Sequence, residues 1–364
     1  NTTADANVAI GWDALGANTT GANNVAVGAN ALDANTTGGY NIAIGQNALG
    51  VNTTGNYSIA IGQDALANCE TSDNVAVGRA ALLSLTTGNQ CVAVGALALD
   101  AMTTGVGGVA VGYMAGSAWT GAYSLTAVGY QALIACTTGV NNTALGRGAL
   151  GAVTTANENT AVGNLSSRLV TGAENTTVGS NSAYSLTTGH SNVVVGHDAL
   201  YTATTAQKNV AVGKNALKVS TADSNVAVGY DAGQANTSGV GVVAVGPWCL
   251  QANTTGSFNT AVARSALYAN TTGGNNTAMG RNALSSNTTG NDNTALGLYA
   301  LGANTTAHRN VGIGNSSLRN VTTGGENVAV GEQSAPTLTT GTLNVAVGRG
   351  ALGKQTTASH NVAI

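Results

Sequence analysis

The sequence predicts an all-β protein, a parallel β-solenoid of about 21 coils with one coil per repeat. A motif that first reads Asn7-Val8-Ala9-Ile10-Gly11 recurs in twenty-one copies along the 364 residues. The copies are spaced seventeen residues apart, or sixteen in three intervals. Repetition at a short fixed period indicates stacked units that contact mainly their neighbours. We therefore expect one continuous array over residues 1–364. Because neither end shows a capping unit, we expect it to be an internal window of a longer fibre protein.

The recurring V-A-V or I-A-I segment is the predicted strand. It is β-branched, and it lies between a glycine and an Asn-Thr-Thr-Gly turn sequence, as in residues 18–28. We number each coil from the last residue of the motif, position 0, which is Gly in every copy except Ala263. In-register strands about 4.8 Å apart predict a rod roughly 100 Å long. The predicted turn glycines at position 0 include Gly11, Gly28, Gly45, Gly62 and Gly78.

Charge and size along the repeat predict which positions are buried. Position −1 is apolar in all twenty-two strands and position +4 is Leu in most coils, so we expect both columns in the core. Position −2 is Ala in nineteen of the twenty-two strands. Adjacent strand residues face opposite sides, so an uncharged small column predicts that the second face is also covered, by another chain. This predicted packed small face includes Ala9, Ala26, Ala43, Ala60 and Ala76.

Two further columns predict side-chain ladders. Asn stands at position −4 in seventeen of the twenty-two strands, and stacked amides can hydrogen-bond to one another and to the turns. This predicted Asn ladder includes Asn7, Asn24, Asn41, Asn142, Asn159, Asn175, Asn192, Asn209 and Asn225. Position +7 holds Asn in some coils and an apolar run from Leu85 to Leu186 in others. That run is an inward or interface column, or it is the floor of a ligand groove.

Composition and spacing argue against several functional classes. A net charge of −3 without a basic run disfavours nucleic acid, and no apolar stretch is long enough to span a membrane. The four histidines lie in separate coils. Cys69 and Cys136 share a position in the repeat but lie four coils apart, and Cys91 and Cys249 stand at other positions, so we expect no disulfide within the chain. The aspartates at position +2 are not in consecutive coils, so no calcium-binding row forms. We expect no enzymatic activity, no cofactor and no metal.

The motifs N-V-A-V-G and N-I-A-I-G, at residues 24–28 and 41–45, resemble the head repeats of YadA-like trimeric autotransporter adhesins and related bacteriophage tail-fibre β-rolls. The resemblance covers nearly the whole chain. It implies a left-handed parallel β-roll, three chains packed side by side, and contacts with a host-surface glycan or protein receptor. The period here is longer than in that family, the Asn-Thr-Thr-Gly loop is additional, and the sequence contains no coiled-coil stalk or membrane anchor.

These observations predict a non-enzymatic structural fibre segment of an extracellular, cell-surface or virion-surface appendage. Its function is to give reach and multivalent display or adhesion, and its main partner is itself, as a trimer or filament. Two alternatives remain open. One is a self-assembling extracellular filament subunit, and the other is an ice-binding solenoid that uses stacked Thr-Thr ranks. The Asn-Thr-Thr sequences are either glycosylation sites or turn and ladder residues.

Overall fold

The computed structural model describes residues 4–121 and 123–364. Asn1, Thr2, Thr3 and Ala122, which the predicted array includes, lie outside these residues. The chain divides into two compact units, Asn1–Ser180 and Asn181–Ile364. Within the described residues each unit contains eleven short strands and no helix, so no helix there is long and apolar enough to cross a membrane. The predicted all-β class is confirmed.

The strands recur at the predicted period in both units. In the first unit they are β1 Val8–Ile10, β2 Val25–Val27, β3 Ile42–Ile44, β4 Ile59–Ile61, β5 Val75–Val77, β6 Val92–Val94, β7 Val109–Val111, β8 Leu125–Val128, β9 Asn142–Leu145, β10 Thr160–Val162 and β11 Thr176–Val178. In the second unit they are β12 Val193–Val195, β13 Val210–Val212, β14 Val226–Val228, β15 Val243–Val245, β16 Thr260–Val262, β17 Thr277–Met279, β18 Thr294–Leu296, β19 Val311–Ile313, β20 Val328–Val330, β21 Val345–Val347 and β22 Val362–Ala363.

Consecutive strands within each unit pair in parallel and in register. Ala9 lies opposite Ala26 in the first unit, and Ala211 lies opposite Ala227 in the second. Hydrogen bonds between neighbouring coils continue outside the strands. For example, the Leu15 N–H donates to the carbonyl of Ala31 at 3.1 Å. Within each unit, each coil is therefore bonded to the next through both its strand and its turns, and the predicted parallel β-solenoid with about 21 coils is confirmed. Handedness and association of three chains stay predictions.

We expected the side chains at position −1 to point into the coil, but the interior lies on the other face of the strand. Ala26 and Ala43, at position −2, are fully buried, whereas Ile10 and Leu145, at position −1, are 61% and 47% exposed. The expectation that position −1 belongs to the core is wrong. Alternation separates two faces of a strand but does not say which is inside, and this coil is too narrow for two β-branched residues per strand. The small column faces inward instead.

The leucine column at position +4 is buried as predicted, and it covers the alanine column within the same chain. Gly312 replaces Ala at position −2 of β19, and a Cβ added there would lie 3.2 Å from Cγ of Leu301, the position +4 residue of the preceding coil. An alanine methyl therefore already contacts the leucine. Because the chain itself covers this column, the column no longer argues for a second chain.

The two exceptions to the alanine column that are larger than alanine are matched by a smaller residue at position +4 of the preceding coil. Thr177 stands one coil after Ser167, and its Oγ1 lies 2.9 Å from the Ser167 Oγ and 2.8 Å from the Ser166 Oγ. Val194 stands one coil after Ala183, and both are fully buried. Each enlargement in one column is offset by a reduction in the other, as close packing of the interior requires.

Candidate functional site

The asparagines at position −4 connect each coil to two others. The Asn24 backbone N–H donates to Oδ1 of Asn7 at 2.8 Å, and Asn24 Nδ2 donates to the carbonyl of Gly38 at 2.9 Å. The Asn41 N–H donates in turn to Asn24 Oδ1 at 2.9 Å. The side chain thus accepts from the next strand and also holds the following turn. The predicted ladder residues lie in these buried columns: Asn24, Asn41, Asn142, Asn159, Asn175, Asn192, Asn209 and Asn225 are at most 1% exposed, and Asn7 is half-buried.

The asparagines at position +7 form a second internal ladder. Asn270 Nδ2 donates to Asn253 Oδ1 at 2.7 Å and to the Gly273 carbonyl at 2.9 Å. Seven asparagines of Asn-Thr-Thr sequences have this role and are 0–2% exposed: Asn18, Asn35, Asn52, Asn253, Asn270, Asn287 and Asn304. An amide nitrogen in such a ladder cannot receive a glycan while the coil is folded. The turn-and-ladder interpretation therefore fits the folded chain.

The apolar run at position +7 is interior, so the alternative of a ligand groove along it is wrong. All seven members are fully buried: Leu85, Met102, Trp119, Cys136, Val153, Val170 and Leu186. All four cysteines of the chain are free and buried. Burial raises the pKa of the Cys136 and Cys249 thiols to about 11. These thiols are protonated at neutral pH and are poor nucleophiles.

Position 0 requires glycine for two reasons. The predicted turn residues Gly11, Gly28, Gly45, Gly62 and Gly78 have φ between 132° and 137°. In addition, a Cβ on Gly11 would lie 2.5 Å from the carbonyl oxygen of Gly28 in the next coil. Ala263, the one exception in the repeat, has φ relaxed to 99°. The predicted small face is equally tight, since Ala26, Ala43, Ala60 and Ala76 are fully buried and only Ala9, in the first coil, is exposed.

The threonine ranks are partly used to stack the coils. At position +8, Oγ1 of Thr36 donates to the carbonyl of Thr53 at 3.0 Å, and Oγ1 of Thr254 donates to the carbonyl of Thr271 at 2.9 Å. The hydroxyls at this position therefore point along the stack. The second threonine of each pair, such as Thr37 at position +9, is exposed. The described Thr-Thr pairs therefore use the position +8 hydroxyls between coils and present the position +9 threonines outward, and ice binding stays a prediction.

The outer face of the strands is an uncharged apolar surface in each unit. It consists of positions −3 and −1, which hold only Val, Ile, Leu, Met or Thr in all strands. Position −3 is mostly half-buried, and position −1 is largely exposed, with Val94 and Val228 at 36% and Met279 at 42%. We call these two columns the outer strand face. Sequence reasoning assigned position −1 to the interior and missed this surface.

Exposed aromatic residues pair between neighbouring coils, which sequence reasoning did not predict. The rings of Tyr40 and Tyr57 stack at 5.1 Å between centroids, and those of Tyr113 and Tyr130 at 5.5 Å. In the second unit, Tyr299 lies between two guanidinium groups. The sequence contained a signal for this pairing, because aromatic residues at the same position in adjacent coils stack about 4.8 Å apart.

The titratable groups do not assemble into a metal-binding cluster in the described residues. No group of three or more His, Cys, Asp or Glu side chains lies close enough there to hold a metal ion. The His308 Nδ1 accepts the Asn291 N–H at 2.9 Å, and His197 lies 3.4 Å from its neighbour Asp198. These histidines belong to turn and surface contacts of separate coils.

No family model and no curated protein matches this chain, so comparison with known proteins assigns it to no family.

Proposed function

We propose that this chain is a non-enzymatic structural segment of an extracellular, cell-surface or virion-surface fibre. It gives reach and multivalent display, and it associates with copies of itself, with a trimer favoured. The outer strand face carries the proposal. Because the alanine column packs inside the coil, this apolar face is the surface that remains for a second chain to cover.

The area of the outer strand face supports self-association. Eleven strands about 4.8 Å apart, each three residues of about 3.3 Å, give roughly 500 Å² of flat sheet per unit. Monomeric proteins rarely expose larger apolar patches without a functional reason. One partner contributes roughly 800 Å² to a standard interface, so the face of one unit supplies more than half of that area.

Chemistry and spacing favour a second copy of this chain as the partner. The face has no charged residue, so the faces of three copies can meet around one axis without burying an unpaired charge. All copies have the same spacing of about 4.8 Å between coils, which lets the ridges of each face fit between those of its neighbours. The stacked, hydrogen-bonded coils supply the length, about 50 Å for the eleven strands of each unit.

The test is the mass of the chain in solution, measured by light scattering. We expect three times the chain mass of 35.5 kDa. Val94→Lys and Val228→Lys place a charge on the outer strand face and should lower the mass to that of a single chain. Ala29→Lys, at an exposed position outside this face, is the matched control and should not change it.

A wild-type mass of 35.5 kDa at all concentrations overturns the self-association proposal. A mass that keeps rising with concentration indicates an open-ended filament and overturns the closed trimer.

A further inference from the structure

We propose that a trough on the second unit binds a carboxylated oligosaccharide. The trough runs along positions +5 and +6 of four successive coils, from Tyr268 at one end to Arg319 at the other, and we call it the Tyr268–Arg319 trough. The inference deepens the proposed display function by naming a ligand class and a site. It does not depend on self-association.

The floor of the trough is made of small residues. Two adjacent cavities, of about 440 Å³ and about 290 Å³, share Ser285 and Ser286. Gly302 and Ala303 continue the floor in the next coil. Position +5 holds Tyr or Arg in the coils on either side, so the two coils with Ser285 and Gly302 leave a gap. Three coil steps of about 4.8 Å separate the two end residues, a span of about 14 Å.

An open aromatic ring stands at one end of the trough. Tyr268 is 45% exposed and lines the larger cavity together with Ala269 and Asn282. The C–H face of a pyranose ring is flat and apolar, and it packs against an aromatic face through dispersion and burial of apolar area. The neighbouring Asn282 amide offers hydrogen bonds to sugar hydroxyls, and the Ser285 Oγ, which donates to the Gly302 carbonyl at 3.3 Å, can accept one.

A positioned guanidinium stands at the other end. Arg319 Cζ lies 5.0 Å from the ring centroid of Tyr299, and Arg281 Cζ lies 5.7 Å from the same ring. Among the described residues, no carboxylate pairs with Arg281 or Arg319. Stacking on the tyrosine orients the guanidinium and leaves its N–H edge open, and that edge matches a carboxylate with two parallel hydrogen bonds.

The combination selects the ligand class. An aromatic platform, a floor of hydroxyl and small groups, and an unpaired guanidinium fit a chain of sugar rings that carries a carboxylate. A peptide groove would expose backbone donors and acceptors, whereas the turn backbone here is bonded between coils, as in the Ser286 N–H to the Gly302 carbonyl at 3.2 Å. The trough lies at positions +5 and +6, apart from the outer strand face, so both surfaces can be occupied at once.

The experiment titrates the intact chain with tetragalacturonic acid and with sialyllactose, followed by calorimetry and by NMR of labelled tyrosine. We expect at least one of these acidic probes to bind and the methyl ester of that probe to bind at least about tenfold more weakly, because the ester loses the charge-assisted bonds. Arg319→Gln and Tyr268→Ala should each weaken binding by about tenfold or more. Arg349→Gln removes the same charge from a site that is 79% exposed elsewhere in the unit, and it should leave affinity unchanged.

Three results overturn the proposal. One is the absence of binding of both acidic probes at millimolar concentration. Another is an equal loss of binding in Arg319→Gln and Arg349→Gln, which shows attraction to net charge rather than to a site. The third is retained binding in Ser285→Tyr, in which the tyrosine fills the floor. Light scattering on the same samples reports association separately, so failure of the trimer and failure of the trough are distinguishable.

Discussion

Packing of position −2 against position +4 makes a quantitative prediction for Ala211 and Leu200. Ala211 lies in β13, and Leu200 is the position +4 residue of the preceding coil; both are fully buried. The chain contains a natural exchange at this pair of positions one coil earlier, where Val194 follows Ala183. We predict that Ala211→Val is destabilising alone and is partly rescued by Leu200→Ala.

The magnitude follows from the contact distances. At the equivalent place in β19, a Cβ added to Gly312 would lie 3.2 Å and 3.4 Å from two carbons of Leu301. Valine adds methyl groups about 1.5 Å beyond that Cβ, which forces an overlap that costs about 1–3 kcal/mol. Leu200→Ala alone leaves a cavity and costs about 2–5 kcal/mol. In the double variant the valine occupies part of the cavity, so the total should be about 2 kcal/mol below the sum.

The assay is a double-mutant cycle from urea unfolding followed by circular dichroism. Because long repeat arrays need not unfold in one step, amide exchange of the Val210–Val212 strand is measured as well. Pairing Ala211→Val with Leu284→Ala, in a distant coil of the same unit, is the control and should be additive. If the Ala211 and Leu200 changes add within about 0.5 kcal/mol, position −2 does not pack on position +4 and the reasoning is refuted.

Three further predictions concern other columns. Asn270→Ala removes two donated bonds and one accepted bond inside the coil, so we expect a loss of about 3 kcal/mol in urea unfolding, and a loss below about 1 kcal/mol contradicts the ladder. Gly45→Ala puts a Cβ 2.5 Å from the next coil at φ 135°. It should cost about 2–4 kcal/mol, seen as a lower melting temperature, unless the backbone relaxes as at Ala263. The raised pKa of Cys136 and Cys249, to about 11 from an ordinary 9.0, means that the unfolded thiols ionise first. The unfolding free energy should therefore be fully present below about pH 9 and fall as pH rises to about 11, and a urea midpoint that is flat over that range argues against burial of these thiols.

The period, the strand and the ladders could be predicted from the sequence because each recurs in a column. Asn24 and Asn41 are inside the coil because a column of amides satisfies itself once stacked. Gly28 is fixed by backbone conformation and by contact with the next coil. Each of these features depends on a residue and on the equivalent residue one coil away, and both can be read from a repeating sequence.

Alternation along the strand could not predict which of its two faces points into the coil. The sequence contained another signal for that face. Where position +4 is Gly116, the next position −4 is Leu125 instead of Asn, and where it is Gly233 the corresponding residue is Val242. A Cβ on Gly116 would lie 3.2 Å from Leu125, so the larger side chain fills the space left by the glycine. Residue volumes that change together in two columns identify columns that touch.

The Tyr268–Arg319 trough was not predictable from a column, because it results from a departure from the repeat. Ser285 and Gly302 must stand at position +5 of the two coils between Tyr268 and Arg319. Tyr299, at a different position of the repeat, must also contact the Arg319 guanidinium. A consensus sequence of the repeat does not show these residues. Specific recognition on a repeat protein is expected at such irregular places.

The hydrogen bonds between coils also determine how this chain responds to force. They run from one coil to the next, as between the Asn24 N–H and Asn7 Oδ1, and so along the stack rather than across it. A pull on the two chain ends therefore loads the terminal coil first and peels coils away singly. Each released coil of seventeen residues spans about 60 Å when it is fully extended. It replaces a rise of about 5 Å along the stack. A stretched unit would lengthen in regular steps of about 55 Å and absorb work at each step while its remaining coils stay folded.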